Sequence, residues 1–290
     1  MWQQVVDGIG SGSIYAALAI ALVLVYRATG VVNFAQGQMA VLSAYIAWSL
    51  TAVGVPVGAA IAATVGISLV IGSATERVVI RRFEGQSQLV AIVVTVALLI
   101  TVNGLVSLWW GDVIKQFPGI FPGKVFALGP LHVATSLLGT VGVLLLVIVV
   151  LQLVMMRTRL GLALRAAATN PGSSALAGLP VGPLLMVGWA LAAAVGAVSG
   201  CLVAPTLFLT PGMMDTVLVY ALAAAVLGGL ESPLGAVVAA WVIGVAQNLA
   251  GSYLPFVGND LQIAVPLVLM CLVLLVRPQG IFGRKTAERV

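Results

Sequence analysis

Long runs of apolar residues, separated by short polar or glycine-rich segments, make up almost the whole of this 290-residue chain. A helix that rises ~1.5 Å per residue needs roughly 20 apolar residues to cross a bilayer, far more than the ~10 residues of a barrel strand. The pattern predicts an all-α, polytopic transmembrane helical bundle of eight or nine spans. The seventh and eighth segments are short, so they either cross the bilayer as bent helices or enter it and return on the same side. The predicted segments are 9–27, 37–54, 57–75, 89–110, 136–156, 184–205, 215–230, 235–250 and 262–276.

The composition agrees with a membrane protein, because 61% of the residues are hydrophobic and 7% are charged, against about a quarter charged in soluble domains. We therefore expect residues 1–290 to form a single transmembrane domain, with no separate soluble catalytic domain. Two longer connections, 111–135 and 157–183, interrupt the spans. The two cysteines, Cys201 and Cys271, lie within apolar runs, which predicts small buried side chains and not a disulfide or a metal pair.

The positive charges predict the orientation of the chain in the membrane. The nine spans place 11 of the 13 Lys and Arg residues on one side and leave Lys115 and Lys124 on the other. By the positive-inside rule the N-terminus is outside, the C-terminus is cytoplasmic, 111–135 is an extracytoplasmic loop and 157–183 is cytoplasmic. The net charge of +5 then matches an anionic lipid surface, and no nucleic acid partner is expected. The cytoplasmic set is Arg27, Arg77, Arg81, Arg82, Arg157, Arg159, Arg165, Arg277, Arg284, Lys285 and Arg289.

The carboxylates and the missing motifs exclude several classes of protein. A carrier driven by protons or sodium needs an ionisable relay near the membrane midplane, and the spans contain none. The single histidine, His132, cannot form a zinc pair, and the chain has no Ser–His arrangement and no GxxxxGK[ST] sequence. We therefore expect no enzyme activity, no metal and no cofactor, with any ATP bound by a partner. The carboxylates lie at predicted span ends (Asp7, Glu76, Asp112, Asp215, Glu231 and Asp260) or in cytoplasmic segments (Glu84 and Glu288).

Neutral amides and glycines are the polar groups that remain near the spans. A cluster of four lies between the first two spans, where broken helix ends expose backbone groups to a zwitterionic solute. A tight cytoplasmic turn that satisfies its own amides explains the cluster equally well. The amides within the fourth and eighth spans line a pathway or, as we favour, form hydrogen bonds between helices. The candidate path residues are Asn33, Gln36, Gly37, Gln38, Asn103, Gln247 and Asn248.

The cytoplasmic connection 157–183 is too polar to span the membrane and too helix-prone to be a simple linker. Good helix formers lie between Gly161 and Gly178, and the sequence Asn-Pro-Gly at 170–172 divides them. This order predicts a short helix, a turn and a second short helix, which we interpret as a coupling segment for a cytoplasmic motor. Its arginines can bind acidic groups of a partner protein or lipid phosphates. The alternative, a basic loop with no partner, explains the charge of this segment but not its length or its predicted helices.

Four sequence motifs carry a family resemblance. They are GVVNFAQG at 30–37, RLGLALRA at 159–166 followed by ALAG at 175–178, LGGLESPLGA at 227–236, and the tail RPQGIFG at 277–283. In this order they resemble, over nearly the whole chain, the inner-membrane permeases of high-affinity branched-chain amino acid ABC importers. That family commonly has an acidic residue just after the first motif, where this chain has Gln38.

The resemblance implies a permease subunit that forms the translocation path for branched-chain or related amino acids in the plasma (inner) membrane. It implies a second, homologous permease subunit, two cytoplasmic ATPases that bind ATP and dock on 161–178, and an extracytoplasmic solute-binding protein. A family permease for urea or short amides, a secondary carrier or channel for small neutral solutes, and a scaffold without a path remain alternatives. The residues implied in coupling to the ATPase are Arg157, Arg159, Gly161, Arg165, Ala166, Ala175 and Gly178.

Overall fold

The computed structural model describes residues 1–83, 85–121, 123–128, 131–253 and 261–283, which form a helical bundle and a small hairpin. A 3₁₀ turn, Ile80–Phe83, follows the third helix. The predictions for Glu84, Asp260, Arg284, Lys285, Glu288 and Arg289 lie outside the described residues. In chain order the helices are α1 (Trp2–Thr29), α2 (Gln36–Ala52), α3 (Val57–Val78), α4 (Gln88–Trp110), α5 (Thr135–Arg157), α6 (Arg159–Thr169), α7 (Pro171–Leu176), α8 (Val181–Leu207), α9 (Asp215–Gly228), α10 (Pro233–Tyr253) and α11 (Ala264–Val276).

Each of the nine predicted apolar segments coincides with a helix, so the prediction of a polytopic all-α bundle is confirmed. Within the described ranges, six helices are long and apolar enough to cross a membrane, namely α1, α3, α4, α5, α8 and α10. The others, α2, α9 and α11, have 17, 14 and 13 residues. A helix as short as α9 rises ~21 Å, less than the ~30 Å of a bilayer core, so it cannot span the core alone.

The centre of the bundle is the pair α1 and α10, which pack with almost no side chains between their backbones. A Cβ atom built on Gly8 lies 2.6 Å from the Cα of Val245, and one built on Gly12 lies 2.7 Å from the carbonyl oxygen of Ala240. Helix association in a membrane depends on such close packing, because lipid is as apolar as the side chains. Most of α1 is buried, with α8 and α9 covering its other sides.

The helices α4 and α5 lie at the periphery, and nearly all of their apolar side chains are exposed or only partly buried. Such surfaces match a lipid environment or a partner subunit. Cys201 is buried on α8 as predicted, but Cys271 is exposed on α11. The prediction of burial was wrong for Cys271 because α11 packs on α9 and α10 along one side only.

The connection between α4 and α5 contains a two-stranded antiparallel hairpin, β1 (Val125–Leu128) and β2 (Leu131–Ala134). Earlier in the connection, the backbone of Lys115 pairs with Leu209 in both directions, at N···O distances of 3.1 and 2.9 Å. The connection is therefore attached to the segment that joins α8 to α9.

Candidate functional site

Helix α2 begins inside the bundle and not at its surface. Asn33 and Gln36 are fully buried, and the Gln36 side chain donates a 3.0 Å hydrogen bond to the carbonyl oxygen of Ala192, near the middle of α8. Further along, Gly200 allows the Ala40 carbonyl to pack directly on α8, so the two helices run side by side from that level. The turn between the first two spans therefore lies inside the bundle, and its Asn33 and Gln36 amides bond to one another, as the alternative of a self-satisfied turn expects.

The amides of Asn33 and Gln36 hold this buried helix start in place. The Oδ1 atom of Asn33 accepts a hydrogen bond from the backbone N–H of Ala35 at 3.0 Å, which closes the turn into α2. Its Nδ2 atom donates to Oε1 of Gln36, also at 3.0 Å. Both side chains thus have partners within the protein, and their first role is to satisfy a helix N-terminus that water does not reach.

The N-termini of α2 and α9 meet at this point. A Cβ atom built on Gly37 lies 3.4 Å from the Cβ of Leu218 and 3.5 Å from the Cβ of Met214, so the glycine allows α9 to approach closely. The Nε2 atom of Gln38 donates a 3.0 Å hydrogen bond to Oδ1 of Asp215, the first residue of α9. Asp215 therefore lies beside the buried helix start, at the beginning of the apolar helix α9.

The segment 208–214 turns back from the end of α8 into the bundle to reach α9. Leu209 and Met214 are fully buried, and Phe208 has φ 59° and ψ 149°, a conformation that side chains other than glycine rarely adopt. Asn103 of α4 donates a 3.2 Å hydrogen bond to the carbonyl oxygen of Pro211. Asn103 thus fixes this re-entrant segment, which agrees with the packing role that the sequence favoured.

Gln247 belongs to a second polar cluster, apart from Gln38. Its Oε1 accepts a 3.0 Å hydrogen bond from the Tyr15 hydroxyl, and its Nε2 donates to the Tyr220 hydroxyl at 3.3 Å. The two tyrosine rings lie 4.7 Å apart, centroid to centroid. Asn248 donates to the Gly244 carbonyl of its own helix. The cluster joins α1, α9 and α10, whereas the Asn248 side chain bonds within its own helix.

A cavity of about 390 Å³ adjoins the two tyrosines. This volume lies within the ~300–1,000 Å³ range of small-molecule sites. Its wall combines apolar side chains with the hydroxyl-bearing residues Ser11 and Thr216, so it suits a small solute with an aliphatic part. The remaining lining residues are Ile14, Tyr15, Leu207, Met213, Val217 and Tyr220.

The connection between α5 and α8 forms the two short helices that the sequence predicts. Thr158 caps α6, with its hydroxyl accepting from the N–H of Gly161 at 3.0 Å, and Asn170 caps α7, accepting from the N–H of Ser173 at 2.9 Å. Gly161 lies within the first turn of α6 and not before it, because that turn packs on the last carbonyls of α5. Leu164, Ala167 and Leu184 then bury the inner side of α6 against α8.

The outer side of this connection presents both charge and apolar surface. Arg157 and Arg159 are exposed, and Arg165 lies back on its helix, its Nε donating to the Gly161 carbonyl at 3.3 Å. Leu176 at the end of α7 is 92% exposed. Of the other predicted coupling residues, Ala166 is half-buried, whereas Ala175 and Gly178 are exposed.

An ion pair that the sequence did not predict links α3 to the start of α8. Glu76 is fully buried, and Arg81 binds both of its carboxylate oxygens, at 3.1 and 2.9 Å. The same guanidinium donates to the carbonyl oxygen of Gly182 at 2.9 Å. The spacing of five residues between the two charges is a local signal for this pair, but the contact with Gly182 requires the fold.

Comparison with known proteins extends over the whole of this arrangement. The family described as "Branched-chain amino acid transport system / permease component" matches residues 4–274. The chain is 30% identical to the high-affinity branched-chain amino acid transport system permease protein BraD of Pseudomonas aeruginosa, covering 99% of this chain and 97% of that protein. It is 28% identical to the high-affinity branched-chain amino acid transport system permease protein LivH of Escherichia coli K12, with the same coverage.

A further relative comes from an archaeon. The probable branched-chain amino acid transport permease protein LivH of Methanocaldococcus jannaschii is 29% identical, over 92% of this chain and 87% of that protein. The matched range 4–274 contains every candidate site residue described above.

Proposed function

Because this chain belongs to the family of branched-chain amino acid transport permease components, we propose that it forms the translocation path of an ATP-driven importer for leucine, isoleucine and valine. The chain is a multi-pass membrane permease component. Its relatives are named for branched-chain amino acid transport, and the substrate of this chain is proposed by analogy with them.

The observation that carries the proposal is the meeting of two short helices inside the bundle. The N-termini of α2 and α9 lie together, with Gln38 bonded to Asp215 at 3.0 Å. Discontinuous helices with interior ends are a recurrent way in which transporters expose backbone groups and polar side chains to a solute at membrane depth. A bundle without a path has no reason to interrupt two helices at the same level.

The proposed path suits a solute that is aliphatic at one end and charged at the other. The cavity beside Tyr15 and Tyr220 offers an apolar wall near the start of α9. The Gln38 amide offers a polar group at that helix start. Leucine, isoleucine and valine combine these two properties.

We assign the coupling role to α6 and α7. This connection is held to the bundle by its buried side, and its outer surface, with Leu176, Arg157 and Arg159, is available to a partner. Two cytoplasmic ATPases would dock there, a second homologous permease would complete the path, and a solute-binding protein would deliver solute to the 111–135 loop. In this arrangement we propose that the N-terminus is outside and the C-terminus is cytoplasmic, as the distribution of basic residues predicts.

Uptake by the purified assembly in proteoliposomes tests the proposal. When the ATPases face the vesicle interior and ATP is enclosed with them, we expect accumulation of labelled leucine, isoleucine and valine. We expect no accumulation of labelled urea. Accumulation of urea instead would favour the amide permease. Leucine equilibration that persists without ATP would favour a channel or carrier, which is the second candidate because the path groups are mostly neutral.

A further inference from the structure

The carboxylate of Asp215 lies at the proposed path, and no basic side chain among the described residues forms an ion pair with it. The Asp215 side chain is exposed. The ion pair found among the described residues joins Arg81 to Glu76, at the end of α3 and in the turn that follows it, and does not include Asp215. Lys115, which lies on the segment bonded to Leu209, places its ammonium group over the Trp48 ring at 4.9 Å from the centroid. The interior end of α9 therefore carries an unpaired negative charge.

The neighbouring Gln38 side chain has an acceptor that lacks a partner. The residue is 1% exposed, its Nε2 atom donates to Asp215, and its Oε1 atom is buried with no hydrogen bond to any described residue. The unsatisfied oxygen thus belongs to the same amide group that donates to the Asp215 carboxylate. A buried acceptor left without a donor is costly, and in a native protein it calls for a ligand or a functional explanation.

We propose that the α-ammonium group of the transported amino acid binds between the carboxylate of Asp215 and Oε1 of Gln38. This proposal rests on the proposed function, because it takes the solute to be an amino acid. An ammonium group carries a positive charge and three N–H donors and has no acceptor, so it complements a carboxylate and an amide oxygen together. The exposed side of Asp215 is where the solute arrives.

A purely structural role accounts for only half of these observations. A carboxylate in the first turn of a helix is stabilised by the helix dipole, which explains an aspartate at the start of α9. It does not explain why the amide of Gln38, which donates to that carboxylate, has an unsatisfied oxygen. A cationic ligand accounts for both.

Ligand-induced stabilisation of the purified assembly in nanodiscs tests the proposal without requiring transport. The three probes are leucine, 3-methylbutylamine, which keeps the ammonium and the branched chain, and 4-methylpentanoate, which keeps the carboxylate and the branched chain. We expect leucine and the amine to raise the unfolding midpoint and the acid to leave it unchanged. A shift with the acid and none with the amine would overturn the proposal and assign the site to the helix N-termini.

Three variants locate the site. In Asp215→Asn and in the similarly shaped Gln38→Met, we expect the amine concentration for half-maximal stabilisation to rise about tenfold or more, the loss of a charge-assisted hydrogen bond. Asp7→Asn removes an exposed carboxylate that is bonded to Gln3 and not to the site, and it serves as the matched control. Equal amine affinity in Asp215→Asn and in the wild type would disprove the assignment.

The proposed function and this site can fail separately. If wild-type vesicles accumulate leucine with ATP but 3-methylbutylamine does not change the stability of the assembly, the proposed function stands and the ammonium site is disproved. If the amine stabilises the assembly through Asp215 but the assembly accumulates no branched-chain amino acid, the ammonium site stands and the proposed substrate is wrong.

Discussion

The guanidinium group of Arg81 spans 101 positions of sequence to reach the carbonyl oxygen of Gly182 at 2.9 Å while it holds the buried carboxylate of Glu76. Gly182 opens α8 directly after the coupling segment, and Glu76 ends α3. One ion pair thus connects the segment on which the motor is proposed to act with a peripheral helix.

Replacing Arg81 by alanine should destabilise the fold, because Glu76 would remain buried without a counter-charge. We expect a loss of about 3 kcal/mol in the free energy of unfolding, measured by denaturant titration in mixed micelles. Arg82→Ala, at an exposed position of the same turn, is the control and should change little. Since Glu76→Gln removes the buried charge, adding it to Arg81→Ala should restore part of the lost stability. A double variant that is less stable than Arg81→Ala would contradict this account.

Gly161→Ala should disturb the junction of α5 and α6. The added Cβ atom would overlap the carbonyl oxygens of Val154 and Met155, so the first turn of α6 would have to move. We expect a loss of ~1–3 kcal/mol in unfolding free energy and weaker retention of the ATPase during purification. Gly172→Ala is the matched control, because its Cβ would meet nothing nearer than Asn170 Oδ1 at 3.6 Å. Equal stability of the two variants would remove the packing argument.

Arg165→Glu reverses a charge on the proposed motor-facing segment. We expect uptake per ATP hydrolysed to fall about tenfold, the size of a typical coupling free energy of ~1.4 kcal/mol, while the membrane domain stays folded. Arg82→Glu places the same change outside the segment and should keep the ratio. Normal uptake per ATP in Arg165→Glu would exclude Arg165 from coupling.

Leu176 offers a direct test of the docking surface, since a leucine that is 92% exposed contributes little to the fold of the isolated chain. Burial of a leucine side chain contributes ~1.5–3 kcal/mol. Leu176→Ser should therefore weaken ATPase binding roughly tenfold or more, as measured by titration of labelled ATPase onto nanodiscs. Its unfolding midpoint without the ATPase should equal that of the wild type, and Leu176→Met should bind normally. An unchanged affinity in Leu176→Ser would place the contact elsewhere.

The hydrogen bond between Tyr15 and Gln247 should contribute to stability, because it is buried between α1 and α10. Tyr15→Phe leaves the Gln247 Oε1 atom without that donor, and we expect a loss of ~1–3 kcal/mol in unfolding free energy. A double-mutant cycle with Gln247→Leu measures the coupling between the two side chains. The exposed Tyr253→Phe is the control. Additive effects in the cycle would mean that the bond contributes nothing of its own.

The helices themselves were predictable from the sequence, because an apolar run of span length has few other stable arrangements in a bilayer. The coupling segment was also predictable, since Asn170 and Pro171 divide it by local rules of capping that the structure follows. Its start was misplaced by two residues, at Gly161, because Thr158 caps the helix earlier than the glycine suggested.

The interior ends of α2 and α9 were not predictable in the same way. A polar break such as that around Asn33 has the same sequence pattern whether it lies at the membrane surface or inside the bundle. Only the contacts of Gln36 with Ala192 and of Gln38 with Asp215 give its depth. For the same reason the contact of Asp215 with Gln38 was not predictable, although its place at the start of an apolar helix was.

The backbone contact between α1 and α10 restricts how the protein can change shape. With Gly8 and Gly12 against α10, neither helix can slide or roll on the other without a clash. Motion is easiest where side chains with free volume separate the helices. We therefore expect the α1–α10 pair to move as one body in the proposed transport cycle. A disulfide that joins α1 to α10 should thus leave turnover intact.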